Sequence, residues 1–178
     1  MIQPVVPGRS GRPPTGFGHY LRDLVYGASD GVVTTLAIVA AVEGAELPTR
    51  VAVILGLANL VGDGFSMGAS NYLGLKSELE QQGQSVAAEK PFRHGLATAA
   101  AFVVVGAVPL FALFTPFESK LGWAIGSSAV ALGLAGATRG RFVNRSPLIC
   151  ALEMVAIGAA SSGAAFAVGW LARSLGPA

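Results

Sequence analysis

Five apolar stretches, each close to the roughly 20 residues a helix needs to cross a bilayer, constrain this chain more than any other feature. They cover residues 24–45, 51–75, 95–115, 121–138 and 148–171. Their apolar residues run on continuously instead of alternating, which excludes a membrane β-barrel. Of the 178 residues 52% are hydrophobic and only 12% charged, about half the charged share of a soluble domain. A soluble fold of this size leaves much of its area in water and could not hide so much apolar surface. The expected fold class is therefore all-α, an integral membrane bundle of five transmembrane helices. Pro48, Pro91, Pro116 and Pro147 fall in the connections, where a missing N–H does no harm. Pro109 falls inside the third stretch and is expected to kink it. Residues 1–18 are rich in Pro and Gly and lack an apolar run, so they are read as a disordered tail and not a signal peptide. Residues 19–178 form the membrane domain.

Orientation follows from the 12 basic residues. Arg9, Arg12, Arg22, Lys76, Lys90, Arg93, Arg139, Arg141 and Arg145 fall on the side of the N-terminus; Arg50, Lys120 and Arg173 fall on the other. That bias places the N-terminus in the cytoplasm and, with five spans, the C-terminus outside. The net charge of +2 fits this asymmetry better than a nucleic-acid surface, since no basic run interleaves with aromatics. The single cysteine, Cys150, excludes an internal disulfide and a multi-cysteine metal cluster, and is read as a packing residue.

The chemistry lies in the acids. Asp30, Glu43, Asp63 and Glu153 fall inside or at the edge of the apolar stretches, while no Lys or Arg falls within the middle of one. An ionised side chain at the centre of a membrane helix costs about 2.5–3.5 kcal/mol on insertion scales, so such residues face a bundle interior or a water-filled path. Without a fixed cationic partner these acids must be protonated, hydrated or paired with a mobile cation. Burial favours the neutral acid, whereas a bound divalent ion favours the carboxylate, so proton and metal compete for one group.

Asn59, Asp63, Met67 and Asn71 recur every four residues, which puts them on one slowly turning helix face. Tyr26, Asp30 and Thr34 repeat the spacing in the first stretch. Oxygen ligands alone suit Mg²⁺ or Ca²⁺; a methionine thioether favours later transition metals. The mixture points to Fe²⁺, with Mn²⁺, Co²⁺ or Zn²⁺ as further options. Met67 as a core gap-filler, Asn59 and Asn71 as interhelical hydrogen-bond donors, and Glu43 and Glu153 as solvated edge acids are the structural alternatives. There is no HExxH, no GK[ST] phosphate loop and no nucleophile–base pair, so the chain is not expected to be an enzyme. His19 and His94 fall near the cytoplasmic boundary, far apart in sequence.

YGASDGVVTTLAIVAAVEGA (residues 26–45) and ILGLANLVGDGFSMGASNYLGLKSE (residues 54–78) closely resemble the first two helices of the vacuolar iron transporter family. Residues 137–170 look like the fourth-to-fifth helix region of its bacterial branch. The resemblance implies a homodimer of five-helix subunits, with an ion path at the dimer interface lined by the first two helices. It also implies movement of Fe²⁺, and sometimes Mn²⁺, out of the cytosol in exchange for protons. By motif, the family's path aspartate matches Asp30 and its path methionine matches Met67. Plant relatives carry a glutamate where Asn59 stands, while Asp63 belongs to the pattern of this branch. Many members also insert a long Glu-rich metal-binding domain between helices two and three. Here only residues 76–92 join them, carrying Glu78, Glu80 and Glu89, which is too short for such a domain.

The expected activity is proton-coupled export of Fe²⁺ or Mn²⁺. The expected ligands are Asp30 and Met67, with Asp63 and Asn59 as supporting oxygen donors. Glu153 is either an acid at the mouth of the path or a structural one. The metal is substrate, and no tightly bound cofactor is expected. Partners are the bilayer, protons, the metal ion and a second copy of the chain, with no nucleic acid. The Ala, Gly, Val and Arg usage points to a bacterial inner membrane. The rivals are a metal-responsive regulator or assembly subunit that does not transport, and a passive cation channel.

Overall fold

The structure is a computed structural model that describes residues 16–116 and 119–175. The expected tail lies outside the described residues except at its end, where a 3₁₀ turn, Gly16–His19, leads into the first helix. Five helices are long and apolar enough to cross a membrane, and no strand occurs among the described residues. They are α1 (Leu21–Gly44), α2 (Thr49–Gln81), a third span Pro91–Ala112, α6 (Lys120–Phe142) and α7 (Pro147–Leu175). The chain is an integral membrane protein.

The third span is broken. It consists of α4 (Pro91–Gly106) and α5 (Val108–Ala112), separated at Ala107. Pro109 has no N–H to give to the preceding turn, and Leu110 and Phe111 both donate to the Ala107 carbonyl. The expected kink is thus a break two residues before the proline. A four-residue helix, α3 (Val86–Glu89), occupies the connector between α2 and α4. α2 runs about two turns beyond the apolar stretch that announced it, because Lys76–Gln81 carries on the helix, with Lys76 and Glu80 3.8 Å apart at i,i+4.

α1 is the centre of the bundle, packed against α4, α7, α6 and α2. Its glycines allow backbone-to-backbone contact. A Cβ built at Gly31 meets the Phe102 carbonyl oxygen at 2.4 Å, and one built at Gly27 meets the Thr98 carbonyl oxygen at 2.3 Å. Gly68 of α2 and Gly95 of α4 repeat the arrangement. Such approach is what small residues supply in membrane bundles, where apolar burial gives no preference of helix over lipid. The core is apolar and small, built from Leu36, Val39, Leu60, Phe102 and Leu110 among others. Cys150 is buried where α7 crosses Gly136 of α6, as a packing residue would be. Large apolar side chains such as Ile54, Val104, Phe111 and Leu148 point outward, the inverse of a soluble protein.

Candidate functional site

The span acids meet different fates. Asp30 is half-buried on α1 and lines a cavity of ≈ 160 Å³ with Tyr26, Ser29, Val33, Leu132, Met154 and Ile157. Asp63 projects from the outer face of α2, between Val61 at 73% and Phe65 at 78% exposure. The two carboxylates stand on helices that pack against each other. Among the described residues neither has a basic partner.

Glu153 differs. Its carboxylate lies 3.0 Å from the Arg145 guanidinium and 3.4 Å from that of Arg139, joining α6, α7 and the turn between them. The expectation that the span acids lack fixed cations therefore does not hold for Glu153. Arg139 and Arg145 stand outside the apolar stretches, but their long side chains reach back along the helices to it. Glu43 is exposed at the other end of the bundle, beside a cavity that Thr49, Ser119 and Lys120 also line.

The four-residue repeat on α2 divides into two halves. Asn59 donates to Thr34 Oγ1 of α1 at 3.2 Å, and Thr34 in turn donates to the Asp30 carbonyl at 2.9 Å. Met67 is half-buried against the apolar core and lines a second cavity, ≈ 310 Å³, with Tyr26, Ser66, Ser70 and Asn71. Tyr26 borders both this cavity and that of Asp30. Asn71 is drawn into a separate network at the end of the bundle where α1 starts.

That network escaped the sequence reading. Asp23, one residue before the first apolar stretch, is 2% exposed. Its Oδ1 accepts from Asn71 Nδ2 at 2.8 Å, and its Oδ2 lies 2.5 Å from His94 Nδ1. Asn71 also donates to Thr98 Oγ1 at 2.7 Å, and Thr98 to the His94 carbonyl at 3.1 Å. His94 Nε2 faces His19 Nε2 at 3.1 Å, and His19 Nε2 lies 3.5 Å from Glu89 Oε2. His19 and His94, read as far apart in sequence, are neighbours in space. The usable signal was Asn71, a polar residue on the inner face of α2 that had to find partners somewhere.

The sequence model of the VIT family matches residues 21–90 and 80–170. The chain belongs to the VIT family. Two rice (Oryza sativa subsp. japonica) relatives are named Vacuolar iron transporter 1 and Vacuolar iron transporter 2. The first is 24% identical over 84% of this chain and 84% of its own length; the second is 26% identical over 89% of each. Vacuolar iron transporter homolog 4 of Arabidopsis thaliana is 25% identical over 88% of this chain and 80% of its own. The rice alignments extend over 211 and 220 positions, more than the 178 residues here, so those relatives carry residues that this VIT chain lacks.

Proposed function

We propose that this VIT-family chain is a proton-coupled secondary transporter that carries Fe²⁺ or Mn²⁺ out of the cytosol, as a homodimer in a bacterial inner membrane. The observation that carries this reading is the relation of Asp30 to Asp63. The two carboxylates stand on spans that pack against each other and have no basic partner among the described residues. Like charges in a low-dielectric setting are relieved by a proton on one of them or a divalent cation near both. That competition couples metal movement to proton movement in the opposite direction.

The exposure of Asp63 supports the dimer. A carboxylate flanked by Val61 and Phe65 on an outward face has no place against lipid tails. A second copy packed on the same face of α2 would enclose it and turn the two α2 helices into the walls of a path. Asp30 and Met67 are its proposed principal ligands, while Asp63 and Asn59 supply oxygens; Glu153, held by two arginines, stabilises the junction of α6 and α7. The names of the plant relatives support iron as a substrate, and the charge asymmetry of the loops supports a cytoplasmic N-terminus; export is what the family resemblance implies.

Proteoliposomes holding the purified protein test this. Saturable Fe²⁺ uptake that rises with an imposed pH gradient is expected, and Asp30→Asn should lower it at least tenfold. If Fe²⁺ does not move, or Asp30→Asn changes nothing, the transporter reading fails. Uptake that neither saturates nor responds to the gradient would replace it with a passive channel.

A further inference from the structure

At the end of the bundle where α1 begins, three side chains from three parts of the chain converge: His19 from the 3₁₀ turn, Glu89 from the end of α3 and His94 from the first turns of α4. One ligand atom from each, two imidazole nitrogens and a carboxylate oxygen, lies within 4.8 Å of the other two. We propose that His19, Glu89 and His94 form a binding site for a first-row divalent transition metal ion, separate from the span carboxylates.

The distances fit. Ligands about 2.0–2.2 Å from a tetrahedral ion stand roughly 3.3–3.5 Å apart. The two histidine nitrogens are 3.1 Å apart, and the His19 nitrogen and Glu89 oxygen are 3.5 Å apart.

The tautomer fits as well. A proton on His94 Nδ1 is held by Asp23 at 2.5 Å, which leaves the Nε2 lone pair free and aimed at His19. This carboxylate–histidine arrangement is what orients a metal-bound imidazole from behind and raises its basicity. Asp23 is fixed in turn by Asn71, so the support is itself supported. Around the His19 nitrogen there are then two acceptors, His94 Nε2 and Glu89 Oε2. A single N–H on His19 satisfies only one of them, whereas a cation satisfies all three groups.

The backbone brings Glu89 there by an uncommon route. Lys90 takes a left-handed conformation, φ 50° and ψ 61°, between α3 and Pro91. A following proline disfavours the right-handed helix at Lys90, so α3 cannot run on into α4. The chain turns back and sets the carboxylate against His19. Tyr20 walls the site, its ring centroid 4.7 Å from that of His94 and 5.1 Å from that of His19.

The His19 and Glu89 side chains are 31% and 44% exposed, against 8% for His94, so the site is closed on the bundle side and open to water. Three protein ligands with an open position suit exchange better than permanent storage. Two nitrogens and one oxygen favour Fe²⁺, Co²⁺, Ni²⁺ or Zn²⁺ over Mg²⁺ and Ca²⁺. That the site loads the span path rests on the transport reading; that it binds metal does not.

The probe is Co²⁺ added to the purified full-length protein in detergent, read by its visible ligand-field bands and by calorimetry. A saturable binding event with nitrogen-type bands is expected. His19→Ala should weaken it at least tenfold and Glu89→Gln severalfold. Both positions are partly exposed, and an unchanged melting temperature confirms that each variant is folded. Asp30→Asn should leave this binding unchanged while it lowers uptake at least tenfold. Absence of saturable Co²⁺ binding by the wild type, or binding by His19→Ala as tight as by the wild type, overturns the site. Failure of uptake with Co²⁺ binding intact overturns only the transport reading.

Discussion

Asp23 and His94 lie 71 residues apart in the chain and 2.5 Å apart in the fold. The pair ties the first turn of α1 to the first turns of α4, in a place too buried for water to replace either partner. Removing one member leaves the other, buried, without its closest partner. Asp23→Ala should therefore destabilise the protein by about 3 kcal/mol, the range for breaking a buried ion pair or its hydrogen-bonded equivalent. Thermal unfolding in detergent, followed by loss of helical circular dichroism, measures it. Asp23→Asn should retain more stability yet weaken Co²⁺ at the histidine pair by about 10–100-fold, the usual effect of losing a carboxylate behind a metal-bound imidazole.

The close approach of α1 to α4 makes a second prediction. Gly31→Ala puts a methyl group against the Phe102 carbonyl, and a backbone atom inside a helix cannot step aside. Overpacking of this kind costs about 1–3 kcal/mol or more. Gly74→Ala, where nothing lies within 4 Å, should be neutral or slightly stabilising through helix propensity. A pair of melting curves checks both.

Accessibility tests the path. Cys150 is fully buried, so wild-type protein should not react with a membrane-impermeant thiol reagent. Asp63→Cys and Met67→Cys should react, and Fe²⁺ should slow the reaction. Labelling followed by mass spectrometry reads the result; two inert cysteines would mean that water does not reach this face of α2.

Glu153 gives the contrasting case. With two guanidinium partners and partial exposure, Glu153→Gln should change stability by no more than about 1 kcal/mol, as for other exposed ion pairs. Fe²⁺ uptake in proteoliposomes should stay within about twofold of the wild type. A loss comparable to that of Asp30→Asn would make Glu153 part of the path.

The spans and the Pro109 break were legible because a bilayer imposes length and continuity on sequence, and a proline must interrupt the helix it sits in. Helical spacing also marked Asp30, Asp63 and Met67 for attention. Spacing along one helix does not say which residue of another helix it meets. Asn59 and Asn71 share a stripe, yet one bonds to Thr34 and the other to Asp23 and Thr98. Asp23 carries no such mark because it stands just before the apolar stretch, although α1 begins at Leu21 and carries it inside. The meeting of His19 with His94 depends on the packing of α4 on α1, and that of Glu89 with His19 on the turn at Lys90, neither of which leaves a local pattern.

The contact of Gly27 and Gly31 with the backbone of α4 also limits how this protein can move. Side chains tolerate sliding because they change rotamer; peptide groups in direct contact do not. α1 and α4 therefore behave as one stave. A change of state that exposes Asp30 first to one side of the membrane and then to the other must shear elsewhere. The seam between α1 and α2 suits this: there the groups that meet include the side-chain ends of Asn59 and Thr34, and breaking that hydrogen bond frees the Asn59 amide to turn its oxygen toward a cation.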